Sequence, residues 1–144
     1  ITVIRQNSTA MITVEAYLND QYLTSYWADG LIIATPTGST GYSLSCGGPV
    51  IMPHSKTLAL TPIAPHNLNA RPLIIPDSTE ITLHVSNREG CYLATYDARS
   101  AILPCETSVK ISLAPFHLKT IELEGNDFFK TLRNKLLWGE DKRN

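Results

Sequence analysis

The chain has 144 residues, 43% of them hydrophobic, and a net charge of −1 from 12 Lys and Arg set against 13 Asp and Glu. That length and composition suit one domain with a proper core, while the near-balanced charge excludes a broad basic field for nucleic acid or an anionic membrane surface. No apolar run approaches the roughly 18 residues needed to span a bilayer, and the odd, widely spaced Cys46, Cys91 and Cys105 predict neither a zinc site nor a disulfide frame but suit a reducing cytoplasm.

Short runs of β-branched and aromatic residues recur along the chain, with Pro, Asn, Asp and Ser at the joints. Ile1-Thr2-Val3-Ile4 is strand-like, and a chain that opens inside an element without an initiator Met reads as a fragment of something longer. Met11–Leu18 and Gln21–Trp27, parted by Asn19-Asp20, predict a hairpin. Further strands are predicted at Leu31–Ala34, Thr57–Leu60, Pro72–Ile75, Glu80–Val85, Cys91–Tyr96, Ala101–Leu103, Val109–Leu113 and Thr120–Leu123. The pattern predicts a mainly β fold, a two-sheet β-sandwich over residues 1–125. A short helix is expected after the Thr-Pro-Thr-Gly-Ser-Thr-Gly-Tyr-Ser stretch, starting near Thr40. A longer helix is expected from about Asp127 to Trp138, with Phe128, Phe129, Leu132, Leu136 and Leu137 on one stripe. Asn126 or Asp127 can cap it, Gly139 can end it, and residues 140–144 form a polar tail. Residues 126–144 are expected to dock that stripe on a core supplied by chain beyond these residues, in preference to a membrane or calmodulin-type role.

Residues 35–49 hold the greatest concentration of small, hydroxylated and turn-forming side chains: Thr35-Pro36-Thr37-Gly38-Ser39-Thr40-Gly41-Tyr42-Ser43-Leu44-Ser45-Cys46-Gly47-Gly48-Pro49. They follow Asp29-Gly30 and the buried-strand run Leu31-Ile32-Ile33-Ala34. Pro36 ends the ladder by removing a backbone donor. Gly38 and Gly41 allow close backbone approach, and Ser39 or Thr40 can cap the helix that follows. Strand, flexible turn and helix N-terminus together make an anion site. The string is neither a Walker A loop nor a Rossmann fingerprint.

Asp29-Gly30-Leu31-Ile32, then Gly38-Ser39-Thr40-Gly41-Tyr42-Ser43-Leu44-Ser45 and Gly47-Gly48-Pro49, resemble the signature of the NAD kinases. Thr61-Pro62-Ile63-Ala64-Pro65-His66-Asn67-Leu68 and Arg71-Pro72-Leu73 resemble that family's next two blocks in the right order, and the similarity extends more weakly along the whole chain. The resemblance implies phosphoryl transfer to the 2′-hydroxyl of the adenosine ribose of NAD, giving NADP, with ATP or polyphosphate as donor and magnesium or another divalent metal accompanying it. Family members carry a Gly-Gly-Asp-Gly loop, whose Asp is the proposed base, and an Asn-Glu pair. Neither occurs in these 144 residues, so the chain resembles the C-terminal, acceptor-binding domain; no catalytic base is assigned and the piece alone is expected to be inactive.

By resemblance, Asp29 accepts hydrogen bonds from an amino group of NAD, in its own subunit or a neighbour's; as a bare motif it is also an ordinary Asp-Gly turn. Thr37, Thr40 and Ser45 offer hydroxyls to ribose or phosphate. Gly41 stands where many members have Ala. Tyr42 offers a ring face and a hydroxyl. Ser43 and Leu44 belong to the same NAD-binding string and serve packing within it. Ala64 aligns with a backbone contact to the nucleotide, and Arg99, in Tyr96-Asp97-Ala98-Arg99, with a polar contact that a guanidinium could direct at phosphate. His66 and Arg71 read as braces of the Ala64 loop; His54, His84 and His117 read as structural, and nothing supports a metal cluster. The resemblance also implies a homo-oligomer, dimer or tetramer. The competing readings are a diacylglycerol- or sphingosine-kinase relative, a non-catalytic nucleotide-binding β-sandwich, and a serine hydrolase using Ser39, which lacks the Gly-x-Ser-x-Gly elbow because Thr37 replaces the first Gly.

Overall fold

A computed structural model describes residues 1–6, 10–121, 124–125 and 127–138. The chain divides into two compact units, Ile1–Leu113 and Ala114–Asn144. The first is the β-sandwich that the alternation predicts. Its strands are β1 (Thr2–Ile4), β2 (Ile12–Leu18), β3 (Gln21–Ala28), β4 (Gly30–Ala34), β5 (Thr57–Ile63), β6 (Leu73–Pro76), β7 (Ile81–Ser86), β8 (Cys91–Tyr96), β9 (Arg99–Pro104) and β10 (Val109–Ile111). They form a six-stranded sheet in the order β6-β5-β4-β1-β8-β9 and a four-stranded sheet in the order β10-β7-β2-β3. Every pairing is antiparallel.

Period-two alternation explains the layering. In β2, Ile12, Val14 and Ala16 point inward and are essentially unexposed. They meet Val3, Leu31, Ile33, Leu58, Leu60, Ile75 and Tyr92 of the larger sheet in one inter-sheet core. β4 breaks the alternation: all five of its residues are buried. Its odd-numbered side chains face the inter-sheet core, while Ile32 and Ala34 join Ile51, Ala59 and Ile63 in a second cluster on the opposite face. Burial on both faces is why its sequence is a continuous apolar run.

The expected short helix forms within the bend, its helical turn starting at Tyr42, close to the expected start near Thr40. A 3₁₀ turn spans Thr37–Thr40 and a single helical turn, α1, spans Tyr42–Ser45. Neither Ser39 nor Thr40 caps these turns, contrary to expectation; at the start of the 3₁₀ turn it is Thr35 Oγ1 that accepts from the Gly38 N–H, at 3.2 Å. The strand expected at Thr120–Leu123 is absent at Thr120 and Ile121; Glu122 and Leu123 lie outside the described residues.

In the second unit, α2 spans Phe128–Leu136. Asp127 caps it, its Oδ1 accepting from the backbone N–H of Lys130 at 2.7 Å. Leu137 adopts the left-handed conformation at the helix end. Asn126, Gly139 and residues 140–144 lie outside the described residues.

Candidate functional site

Strand register builds the first half of the site. Ile4 pairs with Gly30, and Gly30 pairs with Ile63, so three strand ends lie side by side and carry Arg5, Asp29 and Ala64. The Arg5 N–H donates to the Asp29 carbonyl at 3.0 Å, and the Asp29 N–H donates to the Ile63 carbonyl at 3.0 Å. The Arg5 guanidinium holds the Asp29 carboxylate with both arms, Nε lying 2.9 Å from Oδ1 and Nη2 donating to Oδ2 at 3.3 Å. Gly30 is required here: a Cβ would stand 2.4 Å from the Val3 carbonyl oxygen. Sequence reasoning missed Arg5, because nothing local marks an arginine that lies 24 residues from its partner.

Ala64 is exposed and has a φ of 44°, the left-handed region that an L side chain seldom adopts. Its neighbours hold it there. The His66 N–H donates to the Trp27 carbonyl at 2.8 Å, and the two rings pack at 4.3 Å. Arg71 Nη1 donates to the carbonyls of Leu68 and Ala70 at 2.7 and 2.9 Å. Both side chains therefore brace the loop.

The bend supplies the second half. Ser39 is fully buried; its hydroxyl donates to the Pro36 carbonyl at 2.6 Å and accepts from the Ile51 N–H at 3.0 Å, tying the start of the bend to its end. Ser43, 1% exposed, shares a 2.9 Å hydrogen bond with the buried Thr61 hydroxyl of β5. Gly48 lies so close above this pair that a Cβ would stand 2.2 Å from Ser43 Oγ and 2.9 Å from Thr61 Oγ1. Among the described residues the tight approaches thus fall at Gly30 and Gly48, whereas Cβ atoms at Gly38 and Gly41 would meet nothing nearer than 3.3 Å. Ser43 spends its hydroxyl on the scaffold, Leu44 is half-buried, and Thr37, Thr40, Gly41, Tyr42 and Ser45 are exposed.

Because α1 folds back over the sheet from the far end of β4, it brings Tyr42 into the electrostatic reach of Asp29. Burial of its hydroxyl pushes the Tyr42 pKa above the ordinary tyrosine value, and a hydrogen-bonded Cys46 and the Asp29 carboxylate push it the same way. Burial likewise raises the Cys46 thiol, against the opposing effect of its bond to Tyr42. Half of the Tyr42 surface remains open to solvent. The result is a carboxylate, a phenol and an exposed backbone turn converging from residues 29, 42 and 64.

Arg99 is not part of that convergence. It sits exposed at the β8–β9 tip, paired with Tyr96. Since β9 is the third strand from β4, spacing alone puts it about 14 Å to the side. The one-turn α1 also lacks the aligned peptides that would make a strong dipole, so the anion site expected from a helix N-terminus has little to act through. Ser39 cannot serve as a hydrolase nucleophile, being sealed and hydrogen-bonded on both sides. Among the described residues no three His, Cys, Asp or Glu side chains lie close enough to hold a cation, and no helix is long and apolar enough to cross a membrane.

The chain is thus a two-sheet antiparallel β domain with a hydroxyl-rich bend beside an Asp-Gly strand start, and similarity to known proteins gives its family. The sequence profile described as "ATP-NAD kinase C-terminal domain" matches residues 1–123, and the chain belongs to that family. It is 62% identical over its full 144 residues to an NAD kinase of Flavobacterium johnsoniae and 46% identical over 140 residues to one of Cytophaga hutchinsonii. It covers 49% and 48% of those proteins, so the chain spans about half the length of the curated relatives it matches. Among solved structures it is similar in fold to yeast NADH kinase complexed with NADH, with a TM-score of 0.77 and 24% identity over 97% of this chain and 44% of that one. An NAD kinase from Archaeoglobus fulgidus in complex with ATP gives a TM-score of 0.59 and 26% identity over 77% of this chain and 40% of that one.

Proposed function

We propose that this chain is the acceptor-binding part of an NAD kinase, holding NAD while its adenosine ribose 2′-hydroxyl receives a phosphoryl group from ATP. The observation that carries the proposal is the convergence of Asp29, Tyr42 and Ala64, distant in sequence, beside the family's hydroxyl-rich bend. Asp29 accepts from an amino group of the dinucleotide, Tyr42 offers its open ring and hydroxyl, and the left-handed turn at Ala64 presents backbone groups past a small side chain. Thr37, Thr40, Gly41 and Ser45 line the exposed rim of the bend, where hydroxyls and backbone reach ribose or phosphate oxygens. Ser43 and Leu44 hold that rim in place. Arg99 enters only as a phosphate contact at the far side of the sheet.

Phosphoryl transfer depends mainly on positioning and charge stabilisation. These residues supply the first by fixing one reactant. The base and the donor contacts belong to the other half of the protein, and among the described residues no group of three His, Cys, Asp or Glu side chains could hold the donor's divalent cation. The archaeal NAD kinase of similar fold is in complex with ATP, which favours ATP over polyphosphate as the donor. The exposed stripe of α2, with Phe129, Leu136 and Leu137, docks on that other half, and the assembled protein works as a homo-oligomer. Three free thiols suit a cytoplasmic setting.

The test is formation of NADP by the full-length protein given NAD, ATP and magnesium. Asp29→Asn and Tyr42→Ala are each expected to raise the KM for NAD about tenfold, in line with the loss of one charged hydrogen bond or one stacked ring. A folded protein that makes no NADP, or two variants with unchanged KM, overturns the proposal.

A further inference from the structure

Asp29 is not a free carboxylate on a loop. Its backbone is fastened to β1 and β5 by the two hydrogen bonds at 3.0 Å, and its side chain is held by the two-armed contact from Arg5 at 2.9 and 3.3 Å. A carboxylate has about four lone-pair positions, and Arg5 takes one on each oxygen, leaving one on each oxygen for a ligand. The planar fork fixes the rotation of the carboxylate, which one point charge cannot do. It also neutralises a negative charge that would otherwise face an anionic dinucleotide. Both side chains are about one-third exposed, so the pair lies at the surface of the site and is open to an incoming amino group.

We infer that Arg5 is a positioning residue for dinucleotide binding: it orients and neutralises Asp29 so that the remaining lone pairs accept from the ligand's amino group. The inference rests on the proposed acceptor site, and extends it to a residue that reaches the ligand only through Asp29.

The experiment is a double-mutant cycle on the full-length protein, reading KM for NAD, kcat, KM for ATP and thermal midpoint. Arg5→Gln is expected to raise the KM for NAD about tenfold, while kcat and the KM for ATP change less than about twofold. Arg5→Lys recovers only part of the loss, because an ammonium group cannot hold both oxygens. In the Asp29→Asn background, Arg5→Gln adds less than about twofold, the signature of one coupled unit. An unchanged KM in Arg5→Gln overturns the inference. So does full rescue by Lys, which reduces the role to bare charge, or an equal loss with and without Asp29, which makes Arg5 a direct phosphate contact or a purely structural residue. If Arg5→Gln does not fold, Arg5→Lys alone and combined with Asp29→Asn decides by the same criteria. Should Asp29→Asn weaken NAD while Arg5→Gln does not, this inference fails and the acceptor site stands; absence of NADP from the unsubstituted protein overturns both.

Discussion

The two faces of the six-stranded sheet are built on different principles. On the inner face Leu31, Ile33, Leu58 and Leu60 meet the second sheet in a large apolar layer drawn from strands far apart in sequence. On the outer face of the same strands the cover is a tight bend of small residues, threaded with hydroxyls: Ser39 locks it to itself and Ser43 pins it to Thr61. The inner face is non-directional and sets stability. The outer face is directional, because each hydrogen bond fixes a position, and it sets where Tyr42 and the exposed threonines stand.

The contrast can be broken from either side. The largest loss of stability is expected at the inner face, where Leu60→Ala removes a fully buried side chain at a cost of about 3 kcal/mol. Urea unfolding measures it, and a loss below about 1 kcal/mol means that this layer is not close-packed. Gly48→Ala comes next, at about 2 kcal/mol, since its Cβ must displace Ser43 or Thr61. Unlike Leu60→Ala, it is expected to raise the KM for NAD in protein that is still folded, because it lifts the bend. An unchanged KM in that variant dissociates the bend from the site.

Ser43→Ala leaves the buried Thr61 hydroxyl without its partner and is expected to cost about 1–2 kcal/mol. Adding Thr61→Val removes the orphaned group, so the double variant is expected to be more stable than Ser43→Ala alone; further loss instead means that shape, not hydrogen bonding, governs the contact. The smallest effect is at high pH. Burial raises the hydroxyls of Tyr26 and Tyr92 above the ordinary value near 10, and a neighbouring Cys105 adds to the shift at Tyr92. Their folded-state protonation stabilises fully below pH 10 and is lost as pH climbs through the raised folded values. Tyr92→Phe is expected to flatten that alkaline decline while forfeiting the 2.8 Å bond from Tyr92 to the Thr107 carbonyl. Identical alkaline limbs in circular dichroism would remove Tyr92 from the account.

Much of this was legible in one dimension. The alternation of Ile12, Val14 and Ala16 and the unbroken run of β4 predicted half-buried and doubly buried strands, as found. Asp127 was legible as a helix cap because its partner is three residues away. The bend at 35–49 stood out by composition, and the family blocks located Asp29, Tyr42 and Ala64 as candidates. The short helix was legible near Thr40 and its helical turn starts at Tyr42, but the cap expected from Ser39 was not found, because its hydroxyl faces inward and bonds to Pro36 and Ile51.

The sequence by itself determined what local rules govern: strand periodicity, turn chemistry, the cap of α2 and membership of a family through its motif string. Tertiary structure alone decided which glycines are indispensable, which serines are scaffold, and that Arg5 grips Asp29. The physical reason is register: pairing Ile4 with Gly30 and Gly30 with Ile63 places groups from residues 5, 29 and 63 within hydrogen-bonding range, and no rule that looks a few residues along a chain can see across three strands.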